Sequence, residues 1–127
     1  MKLFAIIILF TGLAFQGMAQ APGCRSVQTG KFKVSTEEGT TFVTRTKDSQ
    51  TEEDPSSGTV MIFDVKWLDE CTYTLRPKKL LKGDPALMNK NLVLTVAIKE
   101  VNKQYYMAET TFNLSPMVMT FRMDIVN

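Results

Sequence analysis

The feature that most constrains the fold of this chain is a two-residue alternation of apolar and polar side chains, which recurs in short runs. Successive side chains of a β-strand point to opposite faces, so an apolar residue at every second position indicates a strand with one buried face. The apolar members of the three clearest runs are Met61, Phe63, Val65 and Trp67; Leu92, Leu94, Val96 and Ile98; and Met117, Met119, Phe121, Met123 and Ile125. Each run predicts a strand with one face in the core and one face in water.

The links between the runs are short and rich in turn residues. Gly39, Asn102 with Lys103, and Ser115 with Pro116 mark three of these turns. Because short links pair neighbouring strands antiparallel, the sequence predicts an all-β antiparallel meander of about seven strands, which forms a curved sheet or a small up-and-down, lipocalin-like barrel. One short helix is predicted after Asp84, since Asp is a good N-cap and Pro suits the first helical position.

The segment 40–58 shows little of this alternation. Residues 40–50 are rich in Thr and Val and predict an exposed or edge strand, and residues 51–58 predict a polar loop. Glu52 and its two acidic neighbours are interpreted as solvated, with a calcium site as the alternative. A basic face that protects strand edges from further pairing is predicted from Lys31, Lys33, Arg45 and Lys47.

The first 19 residues have the features of a secretory signal peptide: Lys2, then an apolar run, then Gly17 and Ala19 at the −3 and −1 positions. The apolar run is about 13 residues long, whereas a membrane-spanning helix needs about 20. The sequence therefore predicts cleavage after Ala19 and a single β domain of residues 20–127. This domain is expected in the periplasm, on the outer-membrane surface or in the medium. The alternative is an uncleaved anchor helix.

Cys24 and Cys71 are the only cysteines of the chain. In an oxidising compartment two thiols usually form a disulfide, and this pairing is the favoured interpretation. One alternative is a lipid anchor on Cys24, which follows small residues as an acylated cysteine does. The other is a reactive thiol at Cys71, which the preceding Asp69 and Glu70 disfavour because they oppose formation of the thiolate.

The absence of histidine excludes several classes of activity. Histidine is the commonest general base and the commonest metal ligand, so a Ser-His-Asp or Cys-His catalytic site within this chain is excluded. The 15 basic and 13 acidic residues leave little net charge, and a nucleic-acid partner requires a concentrated basic face. We therefore predict no enzyme activity, no cofactor, no metal and no nucleic-acid partner.

A pattern of short motifs links the two cysteines to their surroundings. Cys24 is followed by Thr-Gly-Lys-Phe at residues 29–32, and Trp67 is followed by Cys71 and Tyr73 in a Cys-x-Tyr motif. This pattern resembles a group of small exported proteins and lipoproteins of Bacteroidota over most of the sequence after the signal peptide. The resemblance implies an envelope or secreted location and supports the pairing of Cys24 with Cys71. It implies no catalytic residues.

The export signal, the curved sheet and the lack of catalytic chemistry predict a non-enzymatic β-domain that binds an apolar small molecule or a protein partner. The residues predicted to line a ligand cavity are Met61, Phe63, Trp67, Met117, Met119 and Phe121. The alternative is that these side chains fill the core of a purely structural or accessory envelope protein, lipid-anchored through Cys24, with no ligand pocket. A third hypothesis is an enzyme that uses carboxylates or tyrosines in place of histidine.

Overall fold

The computed structural model describes residues 23–127, in which eight antiparallel β-strands follow one another in sequence order and close into a barrel. The strands are β1 Gly30–Thr36, β2 Gly39–Arg45, β3 Ser49–Asp54, β4 Thr59–Asp69, β5 Thr72–Lys82, β6 Leu94–Val101, β7 Tyr105–Phe112 and β8 Ser115–Val126. The predicted all-β antiparallel meander is confirmed, and it takes the form of a closed barrel. The predicted signal peptide, residues 1–19, lies outside the described residues.

The strand that the sequence did not indicate is β3. It pairs with β2 on one side and β4 on the other, with Gln50 opposite both Arg45 and Phe63. The predicted polar loop over residues 51–58 is therefore wrong for residues 51–54, which belong to β3. β3 contains no apolar residue, because its inward-facing side chains are polar groups that bond to one another inside the barrel.

Helical structure among the described residues is limited to two 3-10 turns. The helix predicted after Asp84 is the short turn Pro85–Leu87. The Asp84 carboxylate accepts a hydrogen bond from the Ala86 backbone N–H at 2.9 Å, as an N-cap does. The other turn, Cys24–Val27, precedes β1, and the alternation of side chains gives no sign of it. Val27 is fully buried, so this turn covers one end of the barrel.

The barrel is closely paired at the end that the turn Cys24–Val27 covers. β1 and β8 pair only between residues 31–33 and residues 124–126. β5 and β6 pair only between residues 72–75 and residues 94–97. Both ladders lie towards the covered end, which we call the closed end. Beyond them the strands separate towards the opposite end, which we call the open end.

The core follows the two-residue alternation, since buried apolar side chains alternate with exposed ones along the strands. The buried apolar residues are Cys24, Val27, Phe32, Val43, Met61, Phe63, Val65, Tyr73, Leu75, Val96, Ile98, Tyr106, Ala108 and Met123. Trp67 and Tyr73 face each other across the β4–β5 hairpin with their ring centroids 4.6 Å apart. An aromatic pair at this position holds the register of the hairpin.

Candidate functional site

Two adjoining cavities, of 380 and 470 Å³, occupy the open end of the barrel. The smaller is lined by Val34, Thr36, Glu38, Thr41, Val43, Gln50, Glu52, Tyr73, Leu75, Leu94, Val96, Thr110, Phe112, Met119, Phe121 and Met123. The larger is lined by Thr41, Glu52, Asp54, Ser57, Thr59, Met61, Phe63, Pro77, Leu87, Leu92 and Leu94. The two cavities share Thr41, Glu52 and Leu94, so these residues mark their junction.

The space exists because short side chains occupy several inward-facing positions. Val34, Thr41 and Thr110 line the smaller cavity from β1, β2 and β7. The interior of an eight-stranded barrel is just wide enough to be filled by side chains or to hold one small ligand. Ligand sites commonly measure about 300–1,000 Å³, so each cavity has room for a small molecule.

Arg45 forms the centre of the closed end, where it is 2% exposed. Its guanidinium lies between the rings of Phe32 and Tyr73, 4.7 and 4.6 Å from their centroids. It donates hydrogen bonds to the Tyr106 hydroxyl at 2.6 Å and to the Val27 carbonyl at 3.3 Å. Aromatic faces and neutral acceptors therefore hold this cation, and within residues 23–127 it forms no direct ion pair with a carboxylate.

Two hydrogen bonds connect Arg45 to the cavities. Arg45 Nε donates to Gln50 Oε1 at 3.0 Å, and Gln50 Nε2 donates to Glu52 Oε1 at 2.9 Å. Gln50 is 2% exposed and stands between the two charged groups. Glu52 lines both cavities. Arg45 and Glu52 thus compensate each other's charge through an intervening amide rather than by contact.

Burial raises the pKa of the Glu52 carboxyl above its ordinary value, against the lowering effects of the Gln50 hydrogen bond and the Arg45 charge. The side chain retains some accessible surface and lines both cavities. Within residues 23–127 only one of its two carboxylate oxygens accepts a hydrogen bond. The other oxygen is available to a group inside the cavities.

Tyr73 and Tyr106 complete the polar floor beneath the cavities, with their hydroxyl oxygens 3.1 Å apart. Burial raises the pKa of Tyr73, and burial raises the pKa of Tyr106 well above its ordinary value. Both phenols are therefore protonated at neutral pH. Tyr73 also lines the smaller cavity, so the floor presents a neutral aromatic ring with a hydroxyl.

Four of the six residues predicted to line a ligand cavity lie on these walls. Met119 and Phe121, on β8, line the smaller cavity. Met61 and Phe63, on β4, line the larger cavity. The period-two pattern places these side chains on the inner face, and the separation of strands at the open end leaves space beside them.

Met117 and Trp67 line neither cavity. Met117 lies near the start of β8, at the rim of the open end, and is 52% exposed. Trp67 lies at the closed end against Tyr73, and its buried indole N–H has no hydrogen-bond partner within residues 23–127. The alternation indicates which face of a strand a residue occupies, but it does not indicate the residue's height along the barrel axis.

The residues that sequence reasoning missed are Arg45, Gln50 and Glu52. The assignment of Arg45 to an exposed basic face is wrong, because it shares the inner face of β2 with the buried Val43. The interpretation of Glu52 as part of a solvated loop is also wrong, because it lies inside the barrel. The two-residue spacing carries a signal for a shared strand face. Arg45 is two positions from the apolar Val43, and Gln50 is two positions from Glu52.

Cys24 and Cys71 form a disulfide with an S–S distance of 2.03 Å, which confirms the predicted pairing. The bond ties the turn Cys24–Val27 to the β4–β5 hairpin. A salt bridge of 2.8 Å between Arg25 and Glu70 joins the same two segments. Because the Cys24 sulfur is in the disulfide, it does not carry the thioether of a lipid anchor.

Within residues 23–127, no three His, Cys, Asp or Glu side chains are grouped to hold a metal ion. The same range contains no helix with the length and apolar character needed to cross a membrane. No protein-family model, curated protein or solved structure matches the chain. The cavities and their polar groups are therefore the features from which a function is inferred.

Proposed function

We propose that this protein is an exported, non-enzymatic barrel that binds one small, mainly apolar molecule at its open end. The observation that carries this proposal is the pair of adjoining cavities with apolar walls and a few polar groups. Ligand sites in proteins typically combine an apolar lining with a small number of placed polar groups.

The competing function, a purely structural or accessory envelope protein, agrees less well with this interior. A structural barrel gains stability from close packing, because unfilled space removes dispersion contacts from the side chains around it. The closed end is packed with Phe32, Tyr73 and Tyr106, whereas the open end has Thr41 and Thr110 at inward positions. The contrast between a packed end and an unfilled end supports ligand binding.

Export is part of the proposal. The disulfide between Cys24 and Cys71 is typical of proteins that fold in oxidising compartments. The signal-peptide features of residues 1–19 and the resemblance to exported proteins of Bacteroidota agree with it. Binding is preferred to catalysis because the chain has no histidine and the buried phenols of Tyr73 and Tyr106 stay protonated.

We expect Thr41→Phe to weaken binding of the neutral fluorescent probe N-phenyl-1-naphthylamine. Thr41 lines both cavities, so a phenyl ring at this position takes up their shared space. The expected effect is about tenfold or more in Kd, which corresponds to roughly 1.4 kcal/mol of lost binding free energy. A fluorescence titration of the purified protein measures it.

Thr44→Phe is the matched control, because Thr44 is exposed on the same strand and faces outward. This variant is expected to bind the probe as the wild type does. A wild-type protein that fails to bind the probe would contradict the proposal. So would a Thr41→Phe variant that binds it as well as Thr44→Phe does.

A further inference from the structure

We propose that the ligand carries a cationic amine, and that its ammonium group pairs with Glu52 at the junction of the two cavities. This inference rests on the proposed ligand-binding function and specifies the chemical class of the ligand. Its hydrocarbon part occupies the apolar space, and its charged group lies beside the carboxylate. A fatty acid, which carries a carboxylate, is the class of ligand that this site disfavours.

Every charged side chain that lines the cavities is acidic. Glu38 and Glu52 line the smaller cavity, and Glu52 and Asp54 line the larger. Among the described residues, no lysine or arginine lines either one. Charges of one sign in a cleft with low-dielectric walls produce a focused potential. The charged side chains on the cavity walls therefore favour a cation over an anion.

Glu52 differs from the other two carboxylates in its depth and in its free oxygen. Glu38 is exposed in the β1–β2 turn. Asp54 accepts hydrogen bonds from the hydroxyls of Ser56 and Ser57 at 2.6 and 2.9 Å. Glu52 is part-buried at the junction of the two cavities, and one of its oxygens has no protein donor in the described part of the chain. Because a buried carboxylate is costly without a partner, an ammonium group in the cavity stabilises it.

Arg45 compensates the charge of Glu52 only at a distance, and it makes no contact with the Glu52 carboxylate. Three hydrogen bonds and three aromatic rings surround its guanidinium, and Gln50 stands between it and Glu52. Arg45 lines neither cavity, whereas Glu52 lines both, so a ligand carboxylate inside them has no direct access to the guanidinium. A ligand ammonium reaches Glu52 directly. The arrangement of the two charges along the barrel thus favours an amine over an acid.

The test compares three ligands that share a ten-carbon chain: decylamine, decan-1-ol and decanoate. Each is used to displace N-phenyl-1-naphthylamine from the wild-type protein at pH 7. We expect decylamine to bind at least about tenfold more tightly than decanol, because hydrogen bonds to charged groups are stronger than neutral ones. Decanoate is expected to bind more weakly than decanol.

Two variants assign the preference to one carboxylate. Glu52→Gln keeps the size of the side chain and removes its charge, so the ratio of decanol to decylamine Kd values is expected to fall to near one. Glu53→Gln removes the same charge from the exposed face of β3 and is expected to retain the wild-type ratio. The ratio is measured within each variant, so a general change in affinity does not affect it.

The outcomes separate the inference from the function on which it rests. A wild-type protein that binds the neutral probe but shows no preference for decylamine overturns the inference and leaves ligand binding standing. If decanoate binds most tightly of the three, the inference is also overturned and ligand binding stands. That result would point to Arg45 as the partner of the ligand. Equal loss of preference in Glu52→Gln and Glu53→Gln overturns the role of Glu52. Failure of the probe and of all three ligands to bind overturns both proposals.

Discussion

Replacing Arg45 with alanine is expected to lower the free energy of unfolding by about 3–5 kcal/mol, because each buried polar group left without its hydrogen-bond partner costs about 1–3 kcal/mol. The variant leaves the Val27 carbonyl and the Tyr106 hydroxyl without their donor. It also opens a space between the rings of Phe32 and Tyr73, which the guanidinium separates. All of these lost hydrogen bonds and ring contacts lie at the closed end, where the barrel strands are most closely paired.

Urea denaturation followed by far-ultraviolet circular dichroism measures this effect. Arg76→Ala is the matched control, because Arg76 is an exposed residue of β5 and such substitutions usually change stability by about 0.5 kcal/mol or less. Equal midpoints for Arg45→Ala and Arg76→Ala would show that the buried cation does not hold the closed end together. If Arg45→Ala loses its cooperative unfolding transition while Arg76→Ala keeps it, the destabilisation has the expected direction and is larger than predicted.

Removal of the disulfide is expected to cost about 4 kcal/mol, since cross-linking a loop of this length restricts the unfolded chain. Cys24 and Cys71 are 47 residues apart in sequence. The bond also holds the turn Cys24–Val27 on the closed end, where the Val27 carbonyl accepts a hydrogen bond from Arg45. The double variant Cys24→Ala/Cys71→Ala should therefore unfold at a much lower urea concentration than the wild type.

A reductant provides the internal control for this measurement. Adding it should shift the unfolding midpoint of the wild type towards that of the double variant, and it should leave the double variant unchanged. If the oxidised and reduced wild-type proteins unfold at the same urea concentration, the disulfide does not carry the stability assigned to it here.

The fold could be predicted wherever the barrel interior is apolar. Along β4, β6 and β8 the inner residues are large and apolar, so hydropathy alone indicates which face is buried. Hydropathy does not indicate β3, because its buried side chains are polar and are stabilised by hydrogen bonds instead of apolar packing. Gln50 and Glu52 are inward-facing and polar, and Arg45 on the neighbouring strand supplies the donor and the charge that make their burial tolerable. Only the pairing of β2 with β3 brings these residues together.

The site could be predicted in part for a related reason. The alternation within β4 and β8 is enough to predict that Met61 and Met119 face inward. The cavities themselves depend on short side chains from different strands, such as Thr41 on β2 and Thr110 on β7, and on the limited pairing between β1 and β8. These are relations between strands across the barrel, and the pattern within a single strand does not contain them. For the same reason, the alternation predicts Met117 at the site, whereas the structure places it at the rim of the open end.

The measurement that tests the central claim most directly is a titration of ¹³C-methyl-methionine-labelled protein with N-phenyl-1-naphthylamine, followed by NMR. Met61 and Met119 line the larger and the smaller cavity, whereas Met107 lies on the outer face of β7 and lines neither. Saturable changes in the Met61 and Met119 methyl signals, with no change at Met107, are the result expected for a ligand inside the open end. Unchanged Met61 and Met119 signals, or changes confined to Met107 and the exposed Met117, would contradict a ligand-binding barrel.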